Sequence, residues 1–578
     1  MKQLLGFLRG HRLQALLAPL FKMAEAALEL LVPLVVRDLI DRDVAGNDAA
    51  RVGRCAATLG AFALAGLAFS ITAQYFAARS AVGFAVRLRS ALFRQIGRYS
   101  YAQIDTAGTS ALITRMTGDV ERVQNGVNLT LRLLLRSPFV VFGAVIMAFT
   151  VDPGSAWIFA VTVPLLGLAV WGVMRANMPL YKKAQQGLDR VLSAVRENLN
   201  GVRVLRAFGK EEEERSAFRQ KNADLTAANR KAGNVSALMN PLTYVILNAG
   251  VAALIYTGAL RVDTGALTQG AVVALYNYMA QILVELIKLA NLIVSISRAL
   301  ASGRRIAEVF RTDAGLSAPR TGAEPDLTAP AVEFRNVSLR YGRNAEPSLE
   351  NVSFIAPAGA RIGVVGSTGA GKSTLANLIP RFYDATAGQV LVFGRDVREY
   401  APETLQRLVS VVPQRAVLFT GTLRENLRWG APDADDETLL RAVENAAAAE
   451  VVSGRAGGLD ARVSQGGKGF SGGQRQRLTV ARALVKAAPI LILDDAASAL
   501  DFATERRLRQ TLSALPERPC VFTVSQRASS VRDCDVILVL EDGRLIGAGD
   551  HESLLKENEV YAEICRTAEG DGAHGEKN

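Results

Sequence analysis

Residues 366–374 read GSTGAGKST. A short apolar run, Arg361-Ile362-Gly363-Val364-Val365, precedes them, and an apolar-periodic stretch, Leu375-Ala376-Asn377-Leu378-Ile379, follows. Strand, glycine-rich loop and helix in that order are what a phosphate-cradling P-loop requires. Gly366, Gly369 and Gly371 let the backbone curl, so that the N–H groups of Ser367, Thr368, Ala370 and Thr374 can gather around phosphate oxygens. The start of the following helix adds its positive dipole end. Lys372 is expected to reach the β/γ-phosphates, and the Ser373 hydroxyl to hold Mg²⁺.

Two further stretches extend this reading. Residues 470–484 read FSGGQRQRLTVARAL, and residues 489–501 read PILILDDAASALD. The second is an apolar run of buried-strand type that ends in acidic residues. A P-loop about a hundred residues before SGGQ, with an apolar strand and aspartates just after it, resembles the ATP-binding cassette (ABC) family. Tyr341, Gln414 in VVPQ and Asp501 in SALD belong to the same resemblance.

The chain has 578 residues, which predicts two or more domains. Mean hydropathy is +0.17, high for a soluble chain and indicative of membrane spans. Formal net charge is +12. The basic residues of the first half flank apolar stretches, so they fit lipid headgroups rather than nucleic acid. Cys55, Cys520, Cys534 and Cys565 are scattered, which argues against metal ligation and a disulfide framework. No short signal peptide with a small-residue cleavage site opens the chain, so the first apolar helix is expected to be retained.

Six apolar segments near 13–36, 55–77, 133–151, 157–174, 242–260 and 270–296 are each about long enough to cross a ~30 Å hydrocarbon core. The connections 79–132 and 175–240 are long and basic, whereas those near 152–153 and 262–269 are short and hold few basic residues. Both long connections and both termini are therefore expected in the cytoplasm. Residues 311–331 are rich in Pro, Gly and Ala and read as a linker. The expected organisation is an all-α six-helix transmembrane domain with long cytoplasmic extensions over 1–310, the linker, an α/β P-loop domain over 332–568, and a polar tail over 569–578.

Such a transmembrane half resembles that of ABC exporters. Residues 108–124 and 197–214 look like the family's coupling helices, which dock on nucleotide domains. The resemblance implies that Tyr341 stacks on adenine and that Gln414 reaches Mg²⁺ and senses the γ-phosphate. Asp494 ends its strand where it can hold Mg²⁺. In the family, Ser471, Gly472, Gly473 and Gln474 serve the ATP of a partner subunit.

Three positions depart from the family pattern. Asp495 stands where a glutamate normally polarises the attacking water, Gln526 stands in place of a switch histidine, and Gln465 replaces a frequent glutamate. Glutamine carries no titratable proton. The groups that bind nucleotide are intact and those that promote hydrolysis are altered. This pattern resembles the degenerate-site half of heterodimeric bacterial multidrug exporters. The expected protein is a multi-pass subunit of the bacterial inner membrane that exports a small amphipathic substrate, using ATP and Mg²⁺ with a second half-transporter. A homodimer with two slow sites and an ATP-regulated channel remain as alternatives. Within the spans, Lys22, Glu25, Glu29, Glu285 and Lys288 are ionisable, and each pair reads equally as functional or structural.

Overall fold

A computed structural model describes residue 4 and residues 6–44, 49–313, 315–316, 322–342 and 345–566. The polar tail lies outside the described residues. The chain divides into two compact units.

The first unit, residues 1–97 and 109–312, is helical. Its main helices are α1 (Arg12–Asp38), α2 (Ala49–Ile96), α4 (Val120–Leu133), α5 (Arg136–Val151), α6 (Pro153–Ala207), α7 (Glu211–Ala237), α8 (Met239–Asp263) and α9 (Gln269–Arg311). At 1.5 Å per residue, α2, α6 and α9 run to roughly 72, 82 and 64 Å, well beyond a ~30 Å hydrocarbon core. Their ends therefore extend outside it. Capping fixes where the apolar stretches start. The Asp152 side chain accepts from the Ser155 N–H at 2.8 Å, with Pro153 in the first helical turn. Thr268 accepts from the Ala271 N–H to open α9.

Among the described residues, five continuous helical stretches are long and apolar enough to cross a membrane: 49–96, 109–151, 153–207, 211–263 and 269–311. The first expected span, within α1, is not among them. It is helical, but Lys22, Glu25 and Glu29 interrupt its apolar character. The core of this unit is built from Ala26, Leu30, Val140, Phe159, Leu254, Tyr278 and Ile282, among others. The Tyr278 hydroxyl donates to the Leu30 carbonyl at 2.7 Å and so is satisfied inside it.

Residues 98–108 belong to the other unit. The helix that packs there is α3 (Tyr101–Ala107). Tyr101 stacks on Phe382 with centroids 4.6 Å apart, and Asp105 accepts from the Tyr383 hydroxyl at 2.7 Å. Residues 109–124 belong to the helical unit. Its Asp119 is buried and accepts from two nitrogens of Arg305 on α9, one of them at 2.8 Å. An ionised side chain without water is drawn to its counter-charge, and that counter-charge lies on a long helix of the same unit.

The second unit carries two main sheets. β1 (Val332–Leu339), β2 (Leu349–Ala356), β4 (Ala387–Val392) and β5 (Arg395–Asp396) form an antiparallel sheet in the order β2-β1-β4-β5. The larger sheet contains β3 (Arg361–Gly366), β6 (Val409–Val412), β7 (Ile490–Asp494), β8 (Cys520–Val524), β9 (Val536–Glu541) and β10 (Arg544–Gly549). Its order is β10-β9-β3-β8-β7-β6. All pairs except β9–β10 are parallel. Every residue of β7 is buried, as the continuous apolar run predicts for a parallel strand covered on both faces. The interdomain stretch 312–331 separates the end of α9 from β1, and its residues Ala323 and Asp326 donate to Glu399 and Phe393 of the second unit.

Helix α4 meets α9 at a glycine. A Cβ on Gly126 would lie 2.3 Å from the Ala299 Cβ, so Gly126→Ala forces the helices apart. In an open helix the same change is stabilising by about 1 kcal/mol. Here it is expected to lower the melting temperature of the purified protein by an overpacking cost of about 1–3 kcal/mol. Ala299→Gly in the same chain should restore it. A higher melting temperature for Gly126→Ala alone would show that the helices are not this close.

Candidate nucleotide-binding site

Four parallel strands end at one edge of the larger sheet, and each delivers a site residue. β3 runs into the P-loop, β7 ends in Asp494, and β8 and β6 lead within two residues to Gln526 and Gln414. The register pairs Val524 with both Val364 and Asp494. Ligands of open α/β sheets bind outside such strand ends. The cleft here, about 290 Å³, is lined by Thr368, Lys372, Ser373, Gln414, Asp494 and Gln526 among others.

The loop is shaped by backbone conformation. Gly371 has φ +94°, and a Cβ there would lie 2.6 Å from the Ser348 carbonyl oxygen. Only glycine meets both conditions. Helix α10 (Lys372–Leu378) starts immediately after it. Lys372 Nζ donates to the carbonyls of Gly366 at 2.8 Å and Ser367 at 2.6 Å. Burial pushes its pKa down, and the carboxylates of Asp495 and Asp494 oppose that shift. The Ser373 hydroxyl donates to Asp494 Oδ1 at 2.9 Å. Burial raises the Asp494 pKa, and the neighbouring Asp495 charge adds to it, while Ser373 and Lys372 pull the other way.

Asp495 adopts φ +49°, in the left-handed region that non-glycine residues seldom occupy. Its N–H donates to the Val524 carbonyl at 2.9 Å, which turns the chain sharply off β7. Gln414 Nε2 donates to Asp495 Oδ2 at 3.3 Å. Thr368 Oγ1 donates to Gln526 Oε1 at 3.3 Å. The structure thus brings together the P-loop, Gln414, Asp494, Asp495 and Gln526.

Tyr341 lies beside the loop rather than in it. Its hydroxyl donates to Thr374 Oγ1 at 3.0 Å, and its ring meets Tyr383 edge-on at 5.0 Å. Tyr383 was not legible as a site neighbour, because its contacts to Tyr341 and Asp105 cross 42 and 278 positions of sequence. The SGGQ segment stands apart from the cleft. Ser471 caps α11 (Gly472–Val485) and forms a reciprocal box with Gln474. The Gln474 N–H donates to Ser471 Oγ at 3.2 Å, and Gln474 Oε1 accepts from the Ser471 N–H at 3.0 Å. Gly473 passes so close to Ala499 that a Cβ would lie 2.8 Å from its carbonyl oxygen. Gln465 opens a short turn, Gln465–Gly467, ahead of that cap. Asp501 caps helix α12 (Phe502–Ser513), accepting from the Thr504 N–H at 2.8 Å.

The donor set fits a Mg²⁺–nucleotide ligand. Magnesium is usually held by one or two carboxylates together with substrate phosphates and water, not by an all-protein cage. Ser373 and Asp494 supply that share. No group of three or more His, Cys, Asp or Glu side chains that could hold a metal alone occurs among the described residues.

Long apolar helices in one unit and a P-loop cleft in the other define a membrane-embedded nucleotide-binding protein. Residues 15–286 match the ABC transporter transmembrane region family and residues 349–498 the ABC transporter family. An uncharacterised ABC transporter ATP-binding protein of Mycobacterium tuberculosis is 38% identical over 572 residues, covering 97% of this chain and 98% of that protein. A fatty acid ABC transporter ATP-binding/permease protein of the same species is 31% identical over 485 residues, covering 83% and 76%. The solved structure of a bacterial Atm1-family ABC exporter with ATP bound superposes with a TM-score of 0.80 at 25% identity, covering 96% and 98%. The chain belongs to the ABC transporter family, as an exporter-type half-transporter whose ATPase activity is coupled to transport.

The raised Asp494 pKa carries a sign for stability. The folded protein holds that proton more tightly than the unfolded chain, so ionisation on raising pH weakens the fold. Asp494→Asn is therefore expected to raise the melting temperature at neutral pH without ligand. It should also remove the further rise that Mg²⁺ and ATP give the unaltered protein. A variant that melts lower without ligand would contradict the assigned electrostatics.

Proposed function

We propose that this chain is the ATP-binding/permease subunit of a heterodimeric exporter in which its own ATP site binds nucleotide and hydrolyses it slowly. The observation that carries the reading is the contrast within one cleft. The phosphate cradle and the Ser373–Asp494 pair are complete, while Asp495 and Gln526 occupy the two positions that promote hydrolysis. Lys372 would neutralise phosphate charge, and Ser373 with Asp494 would hold Mg²⁺, whose chemistry there is charge compensation of the transferred phosphoryl group. Tyr341 provides the adenine platform, and Gln414 links the metal region to Asp495. Asp495 is one methylene shorter than glutamate, so its carboxylate sits roughly 1–1.5 Å back from the attacking water, a displacement worth on the order of 10²-fold in rate. Gln526 hydrogen-bonds but carries no charge.

The exposed apolar surface supports a two-subunit assembly. Leu199, Val204 and Phe208, near the turn between α6 and α7, are 71%, 60% and 75% exposed. In the nucleotide-binding unit Phe419 stacks on Trp429 at 4.0 Å, and both are exposed. In the head-to-tail arrangement, Ser471–Gln474 of this chain complete the partner's competent site. The relative described as a fatty acid transporter supports an amphipathic substrate. The membrane is the bacterial inner membrane, with both termini and the nucleotide-binding unit in the cytoplasm.

Purified alone, the chain is expected to show little ATPase, and with its partner it should turn over. Asp495→Glu should raise the rate of this site by about 10–10²-fold, because the longer side chain restores the reach to water. Brisk ATPase of the unaltered chain alone would favour a homodimer with two working sites.

Orientation is tested by labelling. A cysteine at Thr264 should react with an impermeant thiol reagent added outside intact cells, and one at Gln220 should react only after lysis. Labelling of Gln220 from outside would reverse the assignment.

A further inference from the structure

Three of the membrane-unit helices carry ionisable side chains that ATP chemistry does not use. One pair closes on itself: Lys22 donates to Glu25 at 2.8 Å one turn along α1, and also to Ser70 of α2. The other group is built around Arg136 of α5, which is 6% exposed. Arg136 Nη1 donates to Glu285 of α9, and Nη2 donates to both oxygens of Glu29 of α1, at 2.9 and 2.6 Å. Glu285 also accepts from Lys288 at 2.8 Å and from the Ser137 hydroxyl at 2.8 Å.

The two carboxylates are not equivalent. Glu285 is buried and has two cations and a hydroxyl on its oxygens. Arg136 and Lys288 against Glu285 alone leave a formal charge of +1. Glu29 supplies the balancing charge, from a side chain 43% exposed, through a single nitrogen of Arg136. Arg136 Nε is buried without an acceptor. A charge facing hydrocarbon costs several kcal/mol, so the open side of the Glu29 carboxylate is expected to meet water or a polar group rather than lipid tails. The arginine is fixed by burial and by Glu285, and the long, exposed glutamate is the partner free to leave.

We propose that Arg136 receives the carboxylate head of an amphipathic substrate and that Glu29 is the resident carboxylate it displaces. One carboxylate replacing another keeps the buried charges balanced and reuses the planar match of guanidinium to carboxylate. A cationic head that drew Glu29 away from Arg136 would instead leave Arg136 and Lys288 against Glu285 alone, a positive excess that is costly out of water. The inference rests on the exporter reading, because it takes these helices to line the substrate path.

The test uses the full chain with its partner in nanodiscs, without ATP. Binding of dodecanoate, dodecanol and dodecyltrimethylammonium is measured directly. Glu29→Gln should tighten dodecanoate about tenfold, the equivalent of one charge-assisted hydrogen bond no longer competing, and leave dodecanol unchanged. Arg136→Lys, which keeps the charge and loses the fork, should weaken dodecanoate in the Glu29→Gln background. Two results would overturn the proposal. One is weaker dodecyltrimethylammonium binding with no gain for dodecanoate in Glu29→Gln, which would make Glu29 a cation receptor. The other is no change for any probe, which would make the ion pair structural. ATP-driven uptake into vesicles, measured separately, tests the exporter reading itself, so that the two can fail independently.

Discussion

The alignment of four parallel strand ends governs the chemistry of the nucleotide-binding unit. The P-loop, Gln414, Asp494 and Gln526 come from places as far apart as 160 positions in sequence, yet they meet because β3, β8, β7 and β6 are hydrogen-bonded in register. That register depends in turn on burial. β7 is buried at every residue, and β3 at every residue but its first. A one-residue slip would exchange the faces of a whole strand and move its terminal side chain away from the cleft. The apolar run before Asp494 and the carboxylate at its end are thus parts of one device. The first fixes the depth at which the second is held.

Much of this unit is legible in sequence because its signals are local. A glycine-rich loop between a strand and a helix is a local signal, and the caps at Ser471 and Asp501 lie within four residues of the N–H groups they accept from. The membrane half is legible in outline, since length and hydropathy depend on single helices. What composition cannot supply is pairing. Nothing local in the sequence marks Arg136, whose partners lie 107 and 149 positions away. Asp119 looks like a polar residue at a solvent-facing tip, and its buried contact with Arg305 lies 186 positions on. The association of α3 with the nucleotide-binding unit has the same cause: Tyr101 packs on Phe382, 281 positions away.

The first helix shows how pairing changes the meaning of composition. With three ionisable groups near its middle, α1 falls short of an apolar span. Within the folded unit each of those groups has a partner, from α1 itself, α2 or α5. A paired charge is far less costly to bury than a single one. Hydropathy counts residues one at a time and assigns Glu25 and Glu29 their full cost. The fold removes much of it by bringing helices together, so α1 depends on its neighbours for membrane compatibility in a way that α9 does not.

The two units also treat buried carboxylates differently. Asp494 has a hydroxyl beside it and a lysine whose donors are directed to the carbonyls of Gly366 and Ser367, and burial raises its pKa. Its charge is under-compensated by protein groups alone, which is the condition under which a divalent cation binds with most gain. Glu285 is the reverse case, with two cations and a hydroxyl on a single carboxylate. Its surroundings are over-compensated, and the excess is balanced by Glu29, the most exposed member of the group. An under-compensated carboxylate recruits a cation, and an over-compensated one leaves a cation able to exchange its outer anion. The same physical quantity, local charge balance out of water, therefore predicts opposite ligands at the two places: a metal–nucleotide complex at the strand ends and a carboxylate between the helices.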